Sequence, residues 1–144
     1  MIRVRVAVII TKGEEILLAK HSKGGKEYWV LPGGGVEEGE SITETAIREI
    51  KEETKLNVKI KKLVFISEAL PPDKHRHVID FSFTGEILSG EIKTGEEEIL
   101  KDVKFFPVTA LEEIQFYPCI GAELKEGFEK GFSEPVRYLG NKWK

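Results

Sequence analysis

From Arg3 to Ile10 the chain alternates polar and apolar residues at first and then turns wholly apolar. That is the signature of a strand that starts at a surface and ends inside a core. Lys12-Gly13-Glu14 reads as a turn, and Glu15 to Ala19 as the returning strand of a hairpin. Tyr28 to Leu31 is a short strand stopped by Pro32. Ser41 and Glu44 form an S-x-x-E capping box, which predicts a helix starting near Ser41. Its apolar stripe is Ile42, Ala46, Ile47 and Ile50. Asn57 to Ala69 is long, partly alternating and β-branched, so a strand, and Pro71-Pro72-Asp73 breaks it. Two more strands follow, Val78 to Leu88 and Val103 to Pro107, around a loop or hairpin from Gly90 to Gly95. Thr109 and Glu112 repeat the capping-box spacing and predict a short helical turn. Tyr117 to Lys130 reads as an amphipathic helix, with Ile120, Leu124 and Phe128 on one face and Gly131 as its stop. The tail from Phe132 to Lys144 carries Tyr138 and Trp143 and is expected to pack across the sheet or onto a partner chain. Strands, helix, strands, helix in this order predict one α/β sandwich domain over residues 1–144, with a mixed sheet.

Composition narrows the class. With 144 residues, 40% hydrophobic and 33% charged, the chain suits a single soluble domain with a real core. No apolar run approaches the roughly 20 residues of a membrane span, and the N-terminus reads as a strand rather than a signal peptide. A net charge of −3 argues against a dedicated nucleic-acid surface. It leaves a nucleotide substrate open, because a metal ion can supply positive charge locally. Cys119 is the single cysteine, so an internal disulfide is excluded. That fits a cytoplasmic setting, and Cys119 is expected to be a buried small apolar residue.

The chemistry concentrates between Trp29 and Leu56. Glu49, Glu52 and Glu53 fall at i, i+3 and i+4, neighbours on one helical face. Glu49 and Glu53 lie beside the apolar stripe. Carboxylates there repel one another and resist desolvation. A divalent cation with oxygen ligands relieves both costs, and Mg²⁺ or Mn²⁺ is the expected ion. A solvated acidic face with i,i+4 bridges, Glu44–Arg48 and Arg48–Glu52, accounts for the same letters. Gly33, Gly34 and Gly35 precede this helix and let the backbone approach a ligand or the helix closely.

The stretch resembles the signature of the Nudix hydrolase family, G-x5-E-x7-R-E-U-x-E-E-x-G-U, where U is a bulky aliphatic residue. Gly34, Glu40, Arg48, Glu49, Ile50, Glu52, Glu53 and Leu56 occupy it, and W-x-L-P-G-G precedes it. Lys55 stands where the family has glycine, just past the helix, where a left-handed backbone is usual. The penalty is roughly 1 kcal/mol of stability, with no ligand lost. The resemblance implies a Nudix-type α/β/α sandwich. It also implies a metal-dependent hydrolase that cleaves a diphosphate bond in a nucleoside diphosphate linked to another group. Gly33 (through its carbonyl), Glu49, Glu52 and Glu53 would hold metal. Arg48 would orient the carboxylates, and Glu40 would brace the helix and glycine loop. Family members place one more acid before a late strand; Glu98 is the first candidate, then Glu97, with Asp102 also open. Glu53 and Glu98 are therefore both carried as the general base. Lys20, His21, Gly34, His75, Arg76 and His77 are candidates for substrate contact, against the alternative of solvated loops. ADP-ribose, dinucleoside polyphosphates, nucleoside triphosphates and nucleotide sugars all fit, with a mild preference for ADP-ribose. The other functional class is a Nudix-like domain that senses a nucleotide without cleaving it. Monomer and homodimer stay equally open.

Overall fold

A computed structural model describes residues 1–23, 25–72, 76–92 and 103–143. Its hub is β1 (Arg3–Lys12), whose residues from Val6 to Ile10 are all at most 1% exposed. The reason is visible in the sequence: both of its faces are apolar over that stretch, as in a strand covered on both sides. On one flank, β1 pairs antiparallel with β4 (Gly33–Gly35) and parallel with β6 (Val78–Ser89). β6 pairs antiparallel with β5 (Asn57–Ala69), and β5 pairs parallel with β9 (Arg137–Asn141) at the edge. At its far end β1 turns into β2 (Glu15–Lys23), which pairs antiparallel with β3 (Lys26–Val30) and β7 (Val103–Pro107). β8 (Phe116–Tyr117) runs parallel to β3. The sheet is mixed, as expected.

Two helices cover it. Helix α1 (Ile42–Thr54) buries Ala46 and Ile50 against Val6, Val8, Ile10, Leu17, Val58 and Phe83. Helix α2 (Gly121–Glu129) sets Leu124 into a second cluster with Ala7, Ile9, Ile16, Leu18 and Phe65. Alternate residues of β1 thus feed opposite layers, the period of two expected of a strand. The architecture is an α/β/α sandwich.

Four expectations need correction. Tyr117–Lys130 is not all helix: Phe116–Tyr117 is a strand and the helix starts at Gly121. Pro118 is the cause, because a residue before proline is pushed into extended backbone. Thr109 caps nothing; Val108–Ala110 is a 3-10 turn entered from Pro107 without a side-chain cap. Ile47 leaves the apolar stripe and is 45% exposed. Thr45 and Thr54 are buried in its place, their hydroxyls donating to Glu40 Oε1 and the Ile50 carbonyl. Cys119 is only half-buried, with Sγ 3.8 Å from the Trp143 carbonyl. The tail does pack on the sheet, as strand β9, beside β5.

Candidate active site

Helix α1 starts as its capping box requires. Ser41 Oγ accepts from the Glu44 N–H at 3.1 Å, and Glu44 Oε1 accepts from the Ser41 N–H at 2.8 Å. It ends at Lys55, which adopts the left-handed backbone with φ of 67° and donates its N–H to the Lys51 carbonyl. The site's helix therefore has fixed ends despite the missing glycine.

Strand β4 runs alongside it. Val8 N–H donates to the Pro32 carbonyl, and β4 lies in register with Arg5–Ala7. The absence of side chains on β4 decides how closely the layers meet. A Cβ on Gly33 would fall 1.9 Å from the Val6 carbonyl oxygen, and one on Gly34 would fall 2.3 Å from Cδ of Glu49. Gly33 N–H donates to Glu53 Oε1 at 3.0 Å. Glu49 and Glu53 thus press onto adjacent residues of the glycine strand.

Arg48 organises the acids around it. Its Nε and one terminal nitrogen donate to the two oxygens of Glu40 at 2.7 and 2.9 Å, a bidentate pair. The other terminal nitrogen donates to Glu49 Oε2 at 3.0 Å and lies 3.4 Å from Glu52 Oε1. Glu40 also accepts from the Thr45 hydroxyl and the Glu37 N–H. The bonds from Arg48 and then Thr45 hold its carboxyl down at a pKa of about 2. Arg48 is raised above its usual value by the same pairing. Glu49 moves the other way. Burial raises its pKa, Arg48 opposes this, and the charges of Glu53 and Glu52 add to the rise. Glu49 and Glu53 side chains are each 19% exposed and Glu52 is 60% exposed.

The candidates for substrate contact separate. His21 lies on the face of β2 that reaches α1, with Nε2 2.7 Å from Glu53 Oε2. Lys20 points to the opposite face, its Nζ 5.3 Å from the Trp29 ring centroid and 3.6 Å from Glu27. His77 pairs with Glu68 at 2.6 Å, at the β5–β6 end beyond β1 from the glycine strand. Arg76 is exposed. His75, Glu97, Glu98 and Asp102 lie outside the described residues. The sequence reading missed a hydrogen-bonded group made of the buried Arg5 and Asp80 and the half-buried Tyr117. An aspartate within the otherwise apolar and hydroxylic start of β6 was the available signal.

A family model described as NUDIX domain matches residues 1–123. The chain belongs to the Nudix family. It is 39% identical over 114 residues to the ADP-ribose pyrophosphatase of Methanocaldococcus jannaschii, covering 78% of this chain and 66% of that one. It is 35% identical over 109 residues to the NAD-capped RNA hydrolase NudC of Pectobacterium carotovorum, covering 76% of this chain and 40% of that one. The Nudix chain thus spans less than two thirds of either relative. A solved NUDIX hydrolase from Nitrosomonas europaea superposes with a TM-score of 0.77 at 22% identity, covering 94% of both chains, which supports the shared fold.

Nudix hydrolases are in general dependent on divalent metal. Among the described residues no three His, Cys, Asp or Glu side chains form a finished ligand cluster. The donor chemistry nevertheless fits such an ion. Glu40, Glu49 and Glu52 share the single Arg48 guanidinium, and Glu53 adds a further carboxylate beside Glu49, so acids outnumber the arginine that binds them. Among the described residues Glu49 Oε1 has no hydrogen-bond partner, Glu52 is open to solvent, and Glu49 lies against the glycine strand. Carboxylate and carbonyl oxygens suit a hard divalent cation.

Proposed function

We propose that this Nudix domain hydrolyses a diphosphate bond in a nucleoside diphosphate joined to a second group, with ADP-ribose as the leading candidate. The observation that carries the reading is the seating of Glu49 and Glu53 against the glycine strand. It holds two of the acids against strand β4 in a fixed arrangement, where an ion bound to them can meet a diphosphate. The similarity to the M. jannaschii ADP-ribose pyrophosphatase supports the choice of substrate.

Glu49, Glu52, Glu53 and the Gly33 carbonyl are the residues that would hold Mg²⁺ or Mn²⁺. When bound, the ion supplies positive charge that neutralises the diphosphate and polarises a phosphorus–oxygen bond. The chain's own residues do the rest. A carboxylate accepts a proton from the attacking water as its oxygen joins phosphorus. The bridging phosphorus–oxygen bond breaks, and the two products each keep one phosphate. Glu53 and Glu98 are the two candidates for that base. His21 and the Gly33 N–H fix the Glu53 carboxyl by one bond to each oxygen. Arg48 holds Glu49 in place and is itself held by Glu40. Of the proposed substrate contacts, His21 and Gly34 lie beside the carboxylates; Lys20, His75, Arg76 and His77 stay as proposals for a part of the substrate away from them. The setting this reading expects is a cytoplasmic monomer or homodimer acting on a small nucleotide.

The test is product release from ADP-ribose, a dinucleoside polyphosphate, a nucleoside triphosphate and a nucleotide sugar, with Mg²⁺ and with chelator. Turnover that chelation abolishes and that Glu53→Gln lowers by orders of magnitude is expected. Near-normal turnover of Glu53→Gln at saturating Mg²⁺ refutes the assignment. Comparing the pH profiles of Glu53→Gln and Glu98→Gln identifies the base.

A further inference from the structure

A closed ring of hydrogen bonds lies behind the glycine strand. Arg5 donates one terminal nitrogen to the Leu31 carbonyl at 2.8 Å and lies 3.4 Å from Asp80 Oδ1 with the other. Asp80 Oδ2 accepts from the Tyr117 hydroxyl at 2.8 Å. The Tyr117 carbonyl accepts from the Leu31 N–H at 3.0 Å, which closes the circuit. The Arg5 guanidinium also lies 5.6 Å from the centre of the Tyr117 ring. Asp80 is wholly buried and Arg5 is 7% exposed.

A buried ion pair is poor value as a source of stability, because desolvating both charges offsets their attraction. Its location suggests another role. Both backbone polar groups of Leu31 are held in the ring. The next residue is Pro32, whose carbonyl is held by Val8 N–H, and the one after is Gly33, whose N–H holds Glu53. The ring therefore grips the chain two residues before the donor that orients a reacting-site carboxylate.

We propose that Arg5, Asp80 and Tyr117 are positioning residues that set the Gly33 N–H, and through it the Glu53 carboxyl, for the hydrolysis proposed above. The inference rests on that reading for its catalytic consequence, but its structural half stands alone. Tyr117 is the residue to perturb, since Tyr117→Phe removes one hydroxyl and keeps the ring packing. A contact merely holding β8 in place would lower stability and leave turnover intact. A positioning contact moves kcat and leaves KM and the fold nearly untouched.

The experiment uses the full chain. In metal-free protein, amide hydrogen exchange is followed by NMR at Gly33 and, as an internal control, at Ala7 and Ile9, which lie on the side of β1 that bonds to β6. Tyr117→Phe is expected to speed exchange at Gly33 about tenfold relative to that ladder. With metal and substrate, kcat is expected to fall about tenfold and KM to stay within about twofold. Asp80→Asn, which removes the charge facing Arg5 and replaces one of the two acceptor oxygens with a donor, is expected to exceed Tyr117→Phe in both readouts if it folds. Unchanged Gly33 exchange in Tyr117→Phe overturns the proposal, as does unchanged kcat in a variant with a lowered melting temperature. A wild-type protein without turnover sinks the hydrolase reading, and Gly33 exchange then decides the ring by itself.

Discussion

Adjacent glycines of β4 make opposite predictions. The Cβ of Gly34→Ala would lie 2.3, 2.5 and 2.7 Å from Cδ and the two oxygens of Glu49. Non-bonded heavy atoms settle at about 3.5–4.0 Å, so the carboxyl must retreat by roughly 1.2 Å or more. It can, because it is the end of a flexible side chain, and the φ of Gly34 is outside the left-handed range. Overpacking costs about 1–3 kcal/mol, and the lost freedom of the unfolded glycine offsets roughly 0.4–1 kcal/mol of that. A net loss of about 1.3 kcal/mol lowers the melting temperature by roughly 3–5 °C in a chain of this size. Misplacement by about 1 Å at a reacting centre costs about 10²-fold in rate. Gly34→Ala should thus fold and lose about 10²-fold in kcat, with more Mg²⁺ needed for half-maximal rate. At Gly33 the obstacles are Val6 O at 1.9 Å, with Val6 C and Ala7 Cα at 2.8 Å. These are backbone atoms of the central strand and cannot swing aside. Gly33→Ala should therefore lose fold stability first, by more than about 3 kcal/mol. Steady-state kinetics and thermal unfolding, run on both variants, separate the cases. A Gly34→Ala enzyme with normal turnover, or a Gly33→Ala protein as stable as wild type, would falsify the geometry used here.

Other outcomes follow from the same site. Mg²⁺ at about 100 times its dissociation constant should stabilise the protein by roughly 2.7 kcal/mol, read as a rise in melting temperature that chelator reverses and Glu53→Gln weakens. An unchanged melting temperature would speak for a solvated acidic face. Glu40 has a depressed pKa in the folded state, about 2 against the ordinary 4.5, because of its bonds to Arg48 and Thr45. Its contribution to stability is therefore complete above pH about 4.5 and is lost as pH falls toward 2. Acid titration of unfolding free energy should show a shallower slope in that window for Glu40→Gln than for wild type, and equal slopes would reject the pairing. Arg48→Lys, which keeps charge but loses the bidentate fork, should lower kcat by freeing Glu49 while leaving KM little changed in the same kinetic assay.

Local chemistry made much of the fold and site legible. The S-x-x-E cap fixed the start of α1, and alternation together with breakers placed β5 and β7 at the residues observed. The spacing of Glu49, Glu52 and Glu53 put three carboxylates on one turn, because the helical period is a local property. Arg48 and Glu40 were readable through the family signature.

Long-range pairing had to come from the folded chain. No spacing rule tells that Glu53 meets His21 and Gly33 rather than solvent, since those partners are 32 and 20 residues away. Nor does the sequence say that Lys20 and His21 part company; that follows from which face of β2 meets α1. The ring through Arg5, Leu31, Asp80 and Tyr117 joins four separate segments, and its members look ordinary one at a time. Tyr117 itself was expected in a helix until Pro118 and pairing with β3 made it a strand. Helical periods, caps and turns arise between near neighbours and can be read in line; the environment of a charge depends on which distant strands enclose it, and only packing sets that.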